Sequence, residues 1–221
     1  MDTRERTRRL TLMAMFAALS YVVMAVGRIP ISSVDFLKYD PKDFILAICG
    51  FIMGPIPALL VTTVVSFIEM ITVSGTGIIG FFMNVLGSAA FVCTASVIYK
   101  RRHSLRGAMA GLLAGVIVST AVMLLWNYFI TPLYMNFPRE AIAEMLVPVF
   151  LPFNLIKGGI NAAVTLLVYK PVSRALKQTG LVAKSPAAQP AQKKSALGAY
   201  IIAGMVLVSC ITAVLVIRGI I

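Results

Sequence analysis

The chain has 221 residues, of which 59% are hydrophobic and only 13% charged, with a mean hydropathy of +0.92. A soluble domain carries roughly twice that charged fraction, so the composition is that of a membrane protein. The formal charge of +12 does not argue for nucleic-acid binding, because the charges cluster in short loops between apolar segments, where they set topology.

In chain order, Met1 to Arg9 is basic, and the apolar run after it has no small-residue cleavage site before Arg28. A cleavable signal peptide is therefore not expected. Apolar runs broken by charge, Gly and Pro predict helices over about residues 10–26, 41–53, 56–73, 78–99, 105–130, 150–176 and 196–217. The second is too short for a span, which needs about 20 apolar residues. It is expected to tilt, or to be shielded by its neighbours. Gly54-Pro55-Ile56-Pro57 predicts a tight reversal between the second and third helices.

Residues 178–195 read as a linker rich in Gln, Pro, Ser, Ala and Lys, and the helix after it as an appended anchor. The fold class is thus an all-α integral membrane protein. It divides into a six-helix membrane domain at 1–177, a linker at 178–195 and an additional transmembrane helix at 196–221. No internal repeat is evident.

Charge bias orients the set. The amino terminus holds four basic residues, Lys100 to Arg106 holds four, and Lys170 to Lys194 holds six, out of twenty in all. Alternating helices put all three regions on one side, expected to be the cytoplasm. The opposite loops, at 28–43, 74–77 and 131–149, are nearly balanced in charge.

That topology gives the intramembrane polar residues a common depth. Asn84, Asn127, Asn154, Lys157 and Glu69 come from four helices and all fall in the outer third. Asn154, Lys157 and Asn161 are spaced i, i+3, i+7 and share one helix face. Polar groups in hydrocarbon are costly unless they face a cavity or a partner, so a pocket open to the exterior is expected. Tyr39, Trp126, Tyr128, Phe129, Tyr134 and Phe153 lie at the same level. They suit either an interfacial aromatic belt or the lining of a pocket for a planar ligand. Lys157 could instead snorkel, the asparagines could join helices, and Glu69 could pair with Lys157 or Lys38. Lys38 and Asp40 could be solvated loop charges.

Catalysis finds little support. The one histidine, His103, sits in a basic loop, and no metalloprotease, nucleophile-elbow or Walker-type motif is present. Cys49, Cys93 and Cys210 lie far apart in apolar segments, which suits neither a disulfide framework nor a metal site.

Several stretches together resemble the riboflavin-specific substrate-binding subunits (S components) of energy-coupling factor (ECF) transporters. They are Ala14-Met15-Phe16-Ala17-Ala18, Phe36-Leu37-Lys38-Tyr39-Asp40-Pro41-Lys42-Asp43, Gly54-Pro55 and Ser74-Gly75-Thr76-Gly77. The most specific are Trp126-Asn127-Tyr128-Phe129-Ile130-Thr131-Pro132-Leu133-Tyr134-Met135 and Pro152-Phe153-Asn154-Leu155-Ile156-Lys157-Gly158. The resemblance covers about residues 8–177. It implies a six-helix fold in the bacterial cell membrane that binds riboflavin near the outer face, without enzymatic activity or cofactor.

It also implies partners: a transmembrane coupling subunit (EcfT) and two cytoplasmic ATPase subunits (EcfA type). Ala14 and Ala18 match the small-residue face that docks on the coupling subunit. Asn127, Asn154 and Lys157 match ligand contacts, with Asn84 beside them and Leu37, Lys38, Tyr39 and Asp40 in a loop covering the pocket. Glu69 and the seventh helix depart from the family pattern. Other readings are an S component for another vitamin or small precursor, a structural membrane subunit, and a stand-alone ion-coupled transporter with Glu69 and Lys157 as relay.

Overall fold

Leu12, Phe16, Ser20 and Met24 recur every fourth position and form the buried stripe of α1 (Thr3–Gly27). Ala14 and Ala18 lie on the opposite, exposed face of that helix. The computed structural model describes residues 3–30, 37–73, 75–135, 137–178 and 193–217. Of the linker expected at 178–195, residues 179–192 lie outside the described residues, while Gln178 ends one helix and Lys193 begins another.

After α1 the chain forms a short antiparallel ribbon. β1 (Ile29–Pro30) pairs with β2 (Lys38–Tyr39), Ile29 opposite Tyr39. This ribbon leads into α2 (Lys42–Met53), a helix of 12 residues that spans only about 18 Å. Lys42, Asp43 and every residue from Ile45 to Phe51 are buried. The expectation of shielding holds: α2 lies among α1, α3 (Pro55–Thr72), α4 (Gly77–Arg101) and α8 (Leu151–Gln178). Gly54 makes the reversal between α2 and α3 with φ 95° and ψ 175°, a conformation open essentially to glycine alone. Pro55 follows at the first position of α3, where its missing N–H costs nothing.

Ser104 caps α5 (Leu105–Phe129), accepting a hydrogen bond from the Gly107 amide at 3.1 Å. Gly111 and Gly115 let α5 lie directly on α4. A Cβ at either would come within 2.7 Å of the Ala95 or Phe91 carbonyl oxygen, the close approach that small residues allow between membrane helices.

The 131–149 region, expected as a loop, is mostly helical. It contains α6 (Thr131–Met135), α7 (Arg139–Met145) and a π-helical turn (Leu146–Phe150) that runs straight into α8. Pro148 lies within the π turn and Pro152 in the first turn of α8, and the helix runs on through both. A further helix, α9 (Lys193–Ile217), packs along α8. Ala199 and Ala203 are buried, Cys210 lies near Gly159, and the Lys170 ammonium sits 5.7 Å from the Tyr200 ring.

Among the described residues, six helical stretches are long and apolar enough to cross a membrane: Thr3–Gly27, Pro55–Thr72, Gly77–Arg101, Leu105–Phe129, Arg139–Val172 and Leu197–Ile217. The protein is therefore a multi-pass, all-α membrane protein. Its core is apolar at one end of the bundle, where Phe51, Tyr99 and Tyr169 cluster with centroids 4.4–6.1 Å apart. The other end is polar.

Candidate binding site

At the polar end, α1 finishes, α2, α4 and α8 begin, and α5 finishes. A cleft open to solvent lies there, with about 750 Å³ of space between its walls and across its mouth. Leu37, Lys38, Asp40, Asn84, Asn127, Asn154, Lys157 and Asn161 all line it. Of the five residues read as sharing one depth, Asn84, Asn127, Asn154 and Lys157 thus share one cavity wall, whereas Glu69 is not on it.

Tyr39 differs from its loop neighbours Leu37, Lys38 and Asp40. It does not line the cleft. Its ring is buried in the apolar cluster with Ile142, Phe150, Phe153 and Ile156, and its hydroxyl donates to Asn161 Oδ1 at 3.4 Å. Strand alternation explains this, since neighbouring residues point to opposite faces. Burial, with Asp43 and Asp40 close by, pushes the Tyr39 phenol well above its ordinary pKa. Trp126, Tyr128, Phe129 and Tyr134 also stay off the cleft wall. Phe153 and Phe91 are its aromatic residues, and Phe91 carried no special signal in the sequence.

The asparagines are held by their own helices. Asn127 Nδ2 donates to the Met123 carbonyl at 2.8 Å, and its Oδ1 accepts from Thr131 Oγ1 at 3.0 Å. Asn154 Nδ2 donates to the Phe150 carbonyl at 2.8 Å, the carbonyl that the π turn presents just before α8. Asn161 Nδ2 donates to the Lys157 carbonyl at 3.0 Å. These bonds fix the side-chain rotamers on the cleft wall.

Lys157 faces two carboxylates, Asp40 and Asp43, each at 3.9 Å. That separation is an ion pair without a hydrogen bond. Among the described residues its ammonium makes no hydrogen bond, so its three N–H groups keep their donor capacity for a ligand. Asp43 Oδ1 also accepts from Ser88 Oγ at 2.6 Å, and its carboxylate sits in the first turn of α2, where the helix dipole favours an anion.

Glu69 pairs with neither Lys157 nor Lys38. It is fully buried against Lys42, which is fully buried too, and Arg28 reaches it at 3.4 Å. Arg28 also lies 3.1 Å from Asp40. Arg28, Asp43, Ser88 and Ser119 on the cleft wall, with Lys42 beneath it, are thus polar residues that sequence reasoning did not single out. The available signal was the placement of two charges, Lys42 and Asp43, at the head of an apolar segment too short to span. Among the described residues no group of His, Cys, Asp and Glu is placed to hold a metal ion.

Fold and cleft together define a class: a multi-pass helical membrane protein with a polar binding cleft at one end of its bundle. The family model described as "ECF transporter, substrate-specific component" matches residues 8–169, and the chain belongs to that family. It is accordingly a transport component and not an enzyme. The chain is 31% identical over 181 residues to "Riboflavin transporter RibU" of Staphylococcus aureus (strain TCH60), covering 79% of this chain and 95% of that protein. It is 26% identical over 174 residues to "Riboflavin transporter FmnP" of Bacillus subtilis (strain 168), covering 74% and 91%.

A solved structure described as "Structure and mechanism of the S component of a bacterial ECF transporter" superposes with a TM-score of 0.68 at 30% identity, covering 78% of this chain and 99% of that one. The family match ends before α9 begins.

Proposed function

We propose that this S component captures riboflavin from the outer face of the bacterial cell membrane. It then delivers the vitamin through a coupling module of one transmembrane subunit (EcfT) and two cytoplasmic ATPases (EcfA type). The relatives named as riboflavin transporters support the ligand. The observation that carries the reading is the composition of the cleft wall. Four asparagines and two lysines (Lys38 and Lys157) share it with Leu37, Met83, Phe91, Met123 and Phe153. A flavin ring has carbonyls and ring nitrogens along its edge and two flat apolar faces. Amides both donate and accept at such an edge, and an ammonium donates.

In this reading Asn84, Asn127, Asn154 and Lys157 contact the ligand, and the segment from Leu37 to Asp40 borders it. The amino terminus is cytoplasmic. In support, exposed Arg4, Arg6, Arg8 and Arg9 lie at the end of the bundle opposite the cleft. Ala14 and Ala18 form the docking face for the coupling subunit, since small exposed residues admit a second helix closely. α9 is an appended anchor outside the six-helix core. It packs on α8 and α5, whereas α1 packs on α2 and α3. The ion-coupled alternative loses its geometry, because Glu69 and Lys157 do not pair directly.

The test is riboflavin fluorescence during titration with the purified full-length protein. Saturable quenching supports the reading, and an unquenched signal at every protein concentration contradicts it.

A further inference from the structure

Beneath the cleft lies a charge network that ligand contact does not account for. Glu69 and Lys42 are fully buried, and neither lines the cleft. Through Arg28, Glu69 connects to Asp40 at the end of the ribbon. Through Lys42 it connects to the first turn of α2, where Asp43 sits. Asp40 and Asp43 in turn face Lys157 on α8. Three cations (Arg28, Lys42, Lys157) balance three carboxylates (Asp40, Asp43, Glu69), and the sum is zero.

We infer that Glu69 is a positioning residue for the ligand site, acting through Lys42 and Arg28 to hold Asp40 and Asp43 opposite Lys157. This rests on the riboflavin reading of the cleft and deepens it. Without the Glu69 carboxylate, buried Lys42 loses its ion-pair partner and Arg28 keeps Asp40 alone. An uncompensated buried charge recruits whatever opposite charge is near. Asp40, already 3.1 Å from Arg28, and Asp43, next to Lys42 in the first turn of α2, are the carboxylates that face Lys157. Drawing them away lets the ammonium swing, and the ligand loses a prepositioned donor. The same argument gives a specific signature. Glu69→Gln leaves the network one positive charge in excess, and Lys42→Met leaves it one negative charge in excess. The double variant is neutral again.

The experiment compares full-length wild type, Glu69→Gln, Lys42→Met and the double variant. It measures riboflavin affinity by fluorescence quenching and thermal unfolding without ligand. Each single substitution should weaken affinity about tenfold or more, and the double should return to within about threefold of wild type. Singles that lose thermal stability at unchanged affinity would reduce the pair to a structural role and overturn the inference, as would a double no better than the worse single. Glu69→Asp covers the case in which a single variant fails to fold. It keeps the charge but shortens the reach, and an intermediate loss of affinity is expected, whereas wild-type affinity counts against the proposal.

A readout that needs no ligand separates this inference from the riboflavin assignment. Amide hydrogen exchange at Leu37–Asp40 should quicken in either single variant and slow again in the double. If wild type fails to quench riboflavin, the ligand reading falls and exchange alone judges the positioning role. Identical exchange in all four proteins overturns it.

Discussion

The two ends of α2 are built from opposite materials. Its first turn carries Lys42 and Asp43, buried and paired with Glu69 and Ser88. Its last turns carry Cys49, Gly50 and Phe51, packed against Ser96, Ala58, Tyr99 and Tyr169. The apolar end has one way to pack well, and it fixes where the helices stand. The charged end offers partners that a ligand can compete with, such as the 3.9 Å contacts of Lys157. Substitutions at the apolar end should therefore alter stability with little effect on affinity, and those on the cleft wall the reverse.

The largest effect should come from filling a helix contact. Gly111→Leu drives a side chain into the Ala95 carbonyl, so folded protein should be lost, read as aggregation in gel filtration in detergent. Next is Leu46→Ala, at a fully buried position in the middle of α2. The cavity it leaves should cost about 2–5 kcal/mol of stability by thermal or denaturant unfolding, while riboflavin affinity of the surviving folded fraction stays close to wild type.

On the cleft wall, Lys157→Ala and Asn154→Ala should each weaken riboflavin binding by about 1–3 kcal/mol in a fluorescence titration. A pair of variants with wild-type affinity would remove the site from that wall. The smallest effect is expected at Ile201 on α9, where more than half of the side chain is exposed. Ile201→Ala should change unfolding by less than about 0.5 kcal/mol. A larger loss would mean that this face of α9 is covered.

Much of the architecture was legible in the sequence because a bilayer restricts it. Seven apolar segments became seven long or shielded helices, and a glycine before a proline became the reversal at Gly54. Asn84, Asn127, Asn154 and Lys157 could be brought together by depth alone, because topology gives depth without any contact being known. The rest depended on direction, which hydropathy does not carry. Lys42 and Asp43 looked like ordinary charges at a helix start, and only the position of α2 in the middle of the bundle turns them inward. Tyr39 and Lys38 are adjacent, yet the strand sends one into the apolar cluster and the other to the cleft. The 131–149 stretch was expected as a loop, yet α6, α7 and a π turn make most of it helical.

The most direct test of the central claim is the absorbance spectrum of the purified full-length protein after incubation with riboflavin and removal of free ligand. A cleft built for the flavin predicts a yellow protein with flavin bands at close to one ligand per chain, lost in Lys157→Ala combined with Asn154→Ala. A colourless wild-type protein, or an equally yellow double variant, would contradict it.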